Sequence, residues 1–178
     1  MPFSVGNLAK DDLSGAGSPC VIYGELFTTY GETISHVESY TNKKDGGVLS
    51  KKGDLLFPSS TTVDAESLIA PSAINVDDVV LGGDMFGIRT AADFDAQYLS
   101  YYFNHIAKKQ LAKYAKGSTI IHLHYKDIEK VKLQLPCLDE QRGIAKCLAS
   151  LEDKILTESK FLSSLNHQKS YFLRQMFI

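Results

Sequence analysis

Hydroxyl and ammonium groups gather in the glycine- and proline-marked turns of this chain. Tyr23, Thr28, Thr29 and Tyr30 lie between Gly24 and Gly31 or beside them, Ser59, Ser60, Thr61 and Thr62 follow Pro58, and Lys116, Ser118 and Thr119 surround Gly117. Such groups, carried on loops, suit contacts to phosphates and to the edges of bases. Serine and threonine are also the ordinary residues of loops, so taken alone they decide little.

Patterns for catalysis are poor by comparison. His122 and His124 share one face of a strand and could suit a metal, but no cysteine or acid pattern completes a ligand set. Gly82-Gly83-Asp84 lacks the spacing of a phosphate-binding loop, and no serine sits in a nucleophile elbow. Asp54 and Asp84 could pair as acids, yet each follows a glycine where a turn alone explains an aspartate. Neither a nucleotide site nor an S-adenosylmethionine site is legible. The expectation is a binding protein, without a metal or cofactor of its own.

The elements that position these groups are short. Strands are expected at Cys20–Tyr23, Leu26–Tyr30, Leu55–Phe57, Ser67–Ala70, Val79–Leu81, Ile120–Leu123 and Val131–Leu135, with further extended chain between Thr33 and Tyr40 and a break at Gly82-Gly83 before Met85–Ile88. No trusted period appears in the first eighteen residues. Lys43–Gly47 reads as a turn. From Asp95 the period changes to that of a helix, with Phe94, Tyr98, Tyr102 and Ile106 in one stripe and Leu99 and Phe103 beside it. A short helical turn is expected near Lys126-Asp127-Ile128. The head is thus α+β, with many short strands and one internal helix.

A long helix follows, with Asp139 as the expected N-cap. Gln141, Ile144, Leu148, Leu151, Ile155, Glu158, Leu162, Leu165, Lys169, Phe172 and Met176 recur at steps of three and four, as in a coiled-coil seam. Such a seam asks for a partner. Off-seam Phe161 and Leu173 widen the stripe and call for burial against the head or other subunits. Glu158 and Lys169 are charges at core positions, costly unless paired. An antiparallel second copy centred between Ser163 and Ser164 sets Glu158 beside Lys169, Leu162 beside Leu165, Ile155 beside Phe172 and Leu151 beside Met176. The alternative is that both charges reach out to water.

The chain has 178 residues, a net charge of −2 and three widely spaced cysteines. That pattern fits a reducing cytosol, with no disulfide framework, and a cytoplasmic location is expected. No apolar run is long enough to span a bilayer, and no signal pattern opens the chain. The near-neutral total hides an acidic stretch from Asp64 to Asp95 and a lysine-rich one from Lys108 to Lys132. The second could steer a polyanion to one face, or it could be a solvated helix face.

Taken in order, several segments resemble one half of the specificity subunit of type I restriction–modification systems. They are Cys20–Glu32, Gly53–Ser60, Leu81–Asp84, Lys116–Thr119 with His122-Leu123, and Leu135-Pro136 followed by Leu138, Glu140-Gln141 and Ile144. The resemblance implies a non-catalytic target recognition domain over residues 1–138, which reads half of a bipartite DNA site. Residues 139–178 would form a spacer and dimerisation helix, paired in an antiparallel coiled coil. It further implies double-stranded DNA and methyltransferase subunits as partners, with S-adenosylmethionine on the latter, and motor–nuclease subunits in a larger complex. By position and chemistry, Tyr23, Thr28, Thr29, Tyr30, Ser59, Ser60, Thr61, Lys116, Ser118 and Thr119 are assigned to DNA, and Lys108, Lys109 and Lys113 to phosphates. Arginine, the commonest reader of guanine, is scarce, so the target bases stay open.

Two departures qualify the resemblance. One recognition domain and one helix stand where the family has two of each, which points to a homodimer reading a palindromic bipartite site through Ile144, Leu148 and the rest of the seam. An opening strand before Asp11 looks shortened or lost, which keeps a truncated product as an alternative. The competing function is an assembly module that docks partners without reading DNA.

Overall fold

The computed structural model describes residues 1–43 and 48–177. The expected turn at Lys43–Gly47 therefore lies, apart from Lys43, outside the described residues. The chain opens with β1 (Pro2–Ser4), a 3-10 turn (Lys10–Asp12), β2 (Leu13–Ser14), β3 (Ser18–Ile22) and α1 (Glu25–Thr28). Next come β4 (Thr33–Ile34), β5 (Ser39–Thr41), β6 (Asp54–Pro58), β7 (Ser60–Thr61), α2 (Ala65–Leu68), β8 (Ser72–Ile74), β9 (Val80–Gly82) and β10 (Met85–Arg89). The remainder is α3 (Ala96–Tyr101), a π-helical turn (Tyr102–Ile106), α4 (Lys108–Ala112), β11 (Ile121–His122), α5 (Tyr125–Ile128) and α6 (Leu138–Met176). The α+β expectation holds.

Two sheets carry the head, in the orders β1-β10-β6-β8-β4 and β2-β5-β3-β9, and a small pair joins β7 to β11. The main core packs Leu55, Phe57 and Phe86 from the larger sheet against Leu99, Phe103 and Leu111 from the helices. A second core lies around Val21, Ile34, Leu56, Ile74 and Leu81. Strand β6 supplies both, since its successive side chains alternate faces. This is why Leu55-Leu56-Phe57 reads as a continuous apolar run: the strand is covered on both sides.

Asp54, at the start of β6, is wholly buried and gives both carboxylate oxygens to Arg89, with Nε 2.9 Å from Oδ1 and Nη2 2.8 Å from Oδ2. The guanidinium also lies over the Phe3 ring, 5.1 Å from its centroid. Asp54 is thus a strand-register anchor held by Arg89 and not the partner of Asp84, which lies on the exposed surface. Gly82 is required for packing, because a Cβ there would stand 2.0 Å from Leu8 Cβ.

Several expectations need correction. Leu26–Tyr30 is not a strand: Gly24 has helical torsions, and the buried Glu25 carboxylate accepts the Ile22 N–H and the Ser39 hydroxyl, which turns the chain into α1. Ser67–Ala70 is not one either, because Asp64 caps α2 by accepting the Ser67 N–H at 2.7 Å. Val131–Leu135 has strand composition but no ladder partner among the described residues, and instead lays Val131, Leu133 and Leu135 on the core as irregular chain. The opening residues do form a strand, β1, paired antiparallel with β10. The internal helix is present but broken by its π turn, and Asp95 caps it through the Tyr98 N–H.

The cap of α6 is Cys137, two residues before the expected Asp139, and its N–H is taken by the Glu140 carboxylate. Gln141 then locks the helix to the head. It is 2% exposed, accepts the Asp95 N–H at 3.0 Å and donates to the Pro136 carbonyl at 2.9 Å. Ala145 is buried one turn on, Leu148 and Ala149 are half-buried, and Glu152 meets the Tyr101 hydroxyl at 2.7 Å. Every described residue beyond Glu152 is exposed, Phe161 and Leu173 included. The head therefore holds a stripe through Gln141, Ala145, Leu148 and Glu152. That stripe takes two positions of the heptad seam, Gln141 and Leu148, while Ile144 and Leu151 stay open.

Candidate nucleic-acid interface

A cleft of about 380 Å³ opens where the β3–α1 turn faces β7, lined by Tyr23, Gly24, Phe27, Thr28, Ser60, Thr61, Thr62 and Ile120. Two sequence features build it. Gly24 stands at the N-cap of α1, which carries Phe27 and Thr28 to the rim, and β11 pairs with β7 so that Ile121 opposes Thr61 and His122 opposes Ser60. The bend before β11 depends on Gly117 (φ +121°), where any Cβ would meet the Ile120 carbonyl oxygen at 2.0 Å. Residues from three well-separated stretches of sequence thus share one cleft.

Four of the assigned residues, Tyr23, Thr28, Ser60 and Thr61, line this cleft. Thr29 stands beside Thr28, their hydroxyls 3.4 Å apart, while Ser118 and Thr119 are exposed in the bend leading to Ile120. The Tyr30 hydroxyl accepts the Glu38 N–H at 3.0 Å and is half-buried, and burial raises its pKa. Ser59 is buried, with its backbone bonded to Asp84 and Leu123, so it holds strands in place beneath the cleft floor.

The lysines divide. Lys116 is bound to Asp127, whose pKa is lowered first by that bond and then by the His124 N–H. Lys108 shares a groove with Asp64 and Glu66, and the Asp64 carboxyl is lowered mainly by the Ser67 N–H, with Lys108 adding a smaller effect. Lys109 and Lys113 are exposed, four residues apart at the end of α4, and so on one helical face. His122 and His124 stack with centroids 6.3 Å apart, and among the described residues no cluster of three metal-ligating side chains exists. Among these residues, too, no helix is long and apolar enough to cross a membrane.

Phe27 and Ile120 are absent from the residues assigned to DNA from sequence, which places both in strands. The available signal was their position: large apolar residues beside hydroxyl runs and next to glycine turns. Hydroxyls can bond to either purine or pyrimidine edges, and an apolar or aromatic surface can contact a thymine methyl. The cleft offers both kinds of group and no guanidinium.

The type I restriction modification DNA specificity domain matches residues 15–167 of the chain. The type I restriction enzyme MjaVIII specificity subunit of Methanocaldococcus jannaschii is 34% identical over 83 residues, covering 47% of this chain and 19% of the relative. The putative type I restriction enzyme MjaX specificity subunit of the same organism is 29% identical over 82 residues, covering 45% and 19%. A solved structure from work on complex assembly and conformational transition of the type I R-M system superposes with a TM-score of 0.60 at 18% identity, covering 88% of this chain and 36% of the other. The HsdS subunit from Thermoanaerobacter tengcongensis gives 0.57 at 17% identity, with the same coverage. The chain spans about a fifth of the length of the curated relatives it matches and about a third of the solved chains. With a family match that runs from the β2–β3 turn well into the exposed rod, over the cleft and the head–rod junction alike, the chain belongs to the type I restriction modification DNA specificity domain family.

Proposed function

We propose that this chain is a non-catalytic DNA-reading unit that recognises one half of a bipartite site and positions methyltransferase subunits on it in the cytoplasm. The supporting observation is the convergence of Tyr23, Thr28, Ser60 and Thr61 on one cleft from separate elements. Lys109 and Lys113 supply phosphate contacts, which place the head without reading sequence. S-adenosylmethionine belongs to the methyltransferase partner, and motor–nuclease subunits join only in a larger assembly.

The exposed rod pairs with a second copy. The head holds the helix as far as Glu152, and the antiparallel register centred between Ser163 and Ser164 runs from Leu151 to Met176. Self-pairing thus begins where the head lets go. Leu151, Ile155, Glu158 and Leu162 already form a continuous open stripe along the helix. Two such heads read a palindromic, split sequence.

One observation favours the second reading, an assembly module without DNA specificity: Lys116 and Lys108 both face carboxylates, which weakens the basic face. Reconstituting the chain with a type I methyltransferase subunit and mapping methylated bases separates the two. A symmetric split motif, absent without this chain, is the expected result. A stable complex that methylates no defined motif would establish the assembly module instead.

A further inference from the structure

The rod meets the head along one helical face, through the half-buried Leu148 between two anchors. The first is Gln141 with Ala145, and the second is Glu152, whose Oε2 accepts the Tyr101 hydroxyl at 2.7 Å. Eleven residues separate Gln141 from Glu152, about 16 Å along the axis and close to three full turns, so both anchors face the same way. A helix held at one point can pivot. Held at two, it has a direction.

The second anchor is a built cluster. Tyr101 is 6% exposed on α3, and Gln97 and Thr33 stand beside its hydroxyl. Glu32 lies next to Glu152, and its carboxylate meets the His105 ring at 2.7 Å. Asp153 adds a further negative charge from α6. Glu152 is thus drawn to Tyr101 while two neighbouring carboxylates oppose its charge, and the tyrosine hydroxyl is the contact that keeps it in place. Among the described residues, nothing in the head buries the rod beyond this point.

We infer that Tyr101 and Glu152 form a latch that sets the angle between head and rod, and through that angle the spacing between the two half-sites. The spacing consequence rests on the proposed reading of a bipartite DNA target; the angle does not. Residues 153–176 extend about 36 Å past the latch at ~1.5 Å per residue. With one head fixed on DNA, a tilt of about 10° carries the far end of the rod by ~6 Å, or roughly two base pairs at ~3.4 Å each. Tyr101 and Glu152 are positioning residues: neither lines the cleft.

The test uses the full chain with Cys137 and Cys147 changed to serine and spin labels at Lys52→Cys and Gln168→Cys. Labelled chain is diluted into unlabelled chain so that only distances within one copy are read. The parent chain should give one narrow distance distribution. Tyr101→Phe keeps the buried ring and loses only the hydroxyl, and it should broaden that distribution about twofold by freeing a pivot held by one hydrogen bond. Glu152→Gln retains an acceptor for Tyr101 and should stay narrow. In methylation maps of the reconstituted complex, the parent should use a single half-site spacing, and Tyr101→Phe should admit neighbouring ones. An unchanged distance in Tyr101→Phe, or Glu152→Gln broadening equally, overturns the latch. A broadened distance with unchanged spacing overturns its role in DNA spacing. Absence of any split motif with the parent chain defeats the DNA reading and the spacing claim together, while the distance measurement still decides the latch.

Discussion

The two halves of α6 carry the same heptad pattern but have different surroundings. From Leu138 to Glu152 the helix is part of the head, gripped through Gln141, Ala145 and Tyr101; from Asp153 to Met176 it is bare. The difference shows that a heptad repeat marks the faces able to pack without saying which partner each will meet. In the first half the head takes a stripe that includes a glutamine and a glutamate and leaves Ile144 and Leu151 open. In this half the seam is thus shared, with Gln141 and Leu148 held by the head, and it is wholly open only beyond Glu152.

The comparison can be broken most severely in the bare half. Leu162→Asp combined with Leu165→Asp should abolish self-association in sedimentation velocity, while shifting the head's own unfolding by no more than about 0.5 kcal/mol. A dimer that survives would show that the seam is not the interface. In the gripped half the effect should reverse. Gln141→Leu leaves the Asp95 N–H and the Pro136 carbonyl without their partner, and should cost the head about 2–3 kcal/mol in urea titrations.

Smaller effects sharpen the register. Glu158→Lys places like charges together twice in the symmetric pair and should weaken self-association roughly tenfold, about 1.4 kcal/mol. Adding Lys169→Glu should restore it, and equal affinity for the single variant and the parent would exclude the pairing. Smallest is a pH effect at the latch. Burial, with Glu32 and Asp153 opposing its charge, raises the Glu152 pKa above its ordinary 4.5 despite the Tyr101 bond. The folded state then binds the proton more tightly than the unfolded chain, so this contribution is full below 4.5 and lost as pH rises through the folded value. Glu152→Gln removes the titration, and its Tm relative to the parent should climb as pH goes from about 4 to 7. A flat difference would contradict this.

The sequence made the α+β class, the buried β6 strand and the long helix legible, because each depends on a pattern of period two or near 3.6 residues. It misassigned α1 and α2, four-residue helices that owe their form to single carboxylates: Glu25, which accepts the Ile22 N–H, and Asp64, which caps α2. It also gave Val131–Leu135 a strand, since composition cannot reveal that no neighbour among the described residues offers a ladder. Of the assigned binding residues, Tyr23, Thr28, Ser60 and Thr61 line the cleft, while the Tyr30 hydroxyl is taken up by the Glu38 N–H. Ser59 is withdrawn beneath the cleft, and Lys108 and Lys116 face acids that belong to other elements. The Tyr101–Glu152 contact joins residues 51 apart and has no local signature.

The central claim is that the head reads bases through the cleft. Its most direct test maps methylated bases in cells carrying the parent chain, Thr28→Val with Thr61→Val, or Lys109→Gln with Lys113→Gln. The cleft pair should relax the motif at the same position in both half-sites. The lysine pair should leave the motif intact and reduce the salt dependence of binding by about one unit of slope for each phosphate no longer neutralised. A motif unchanged by the cleft substitutions would contradict the account.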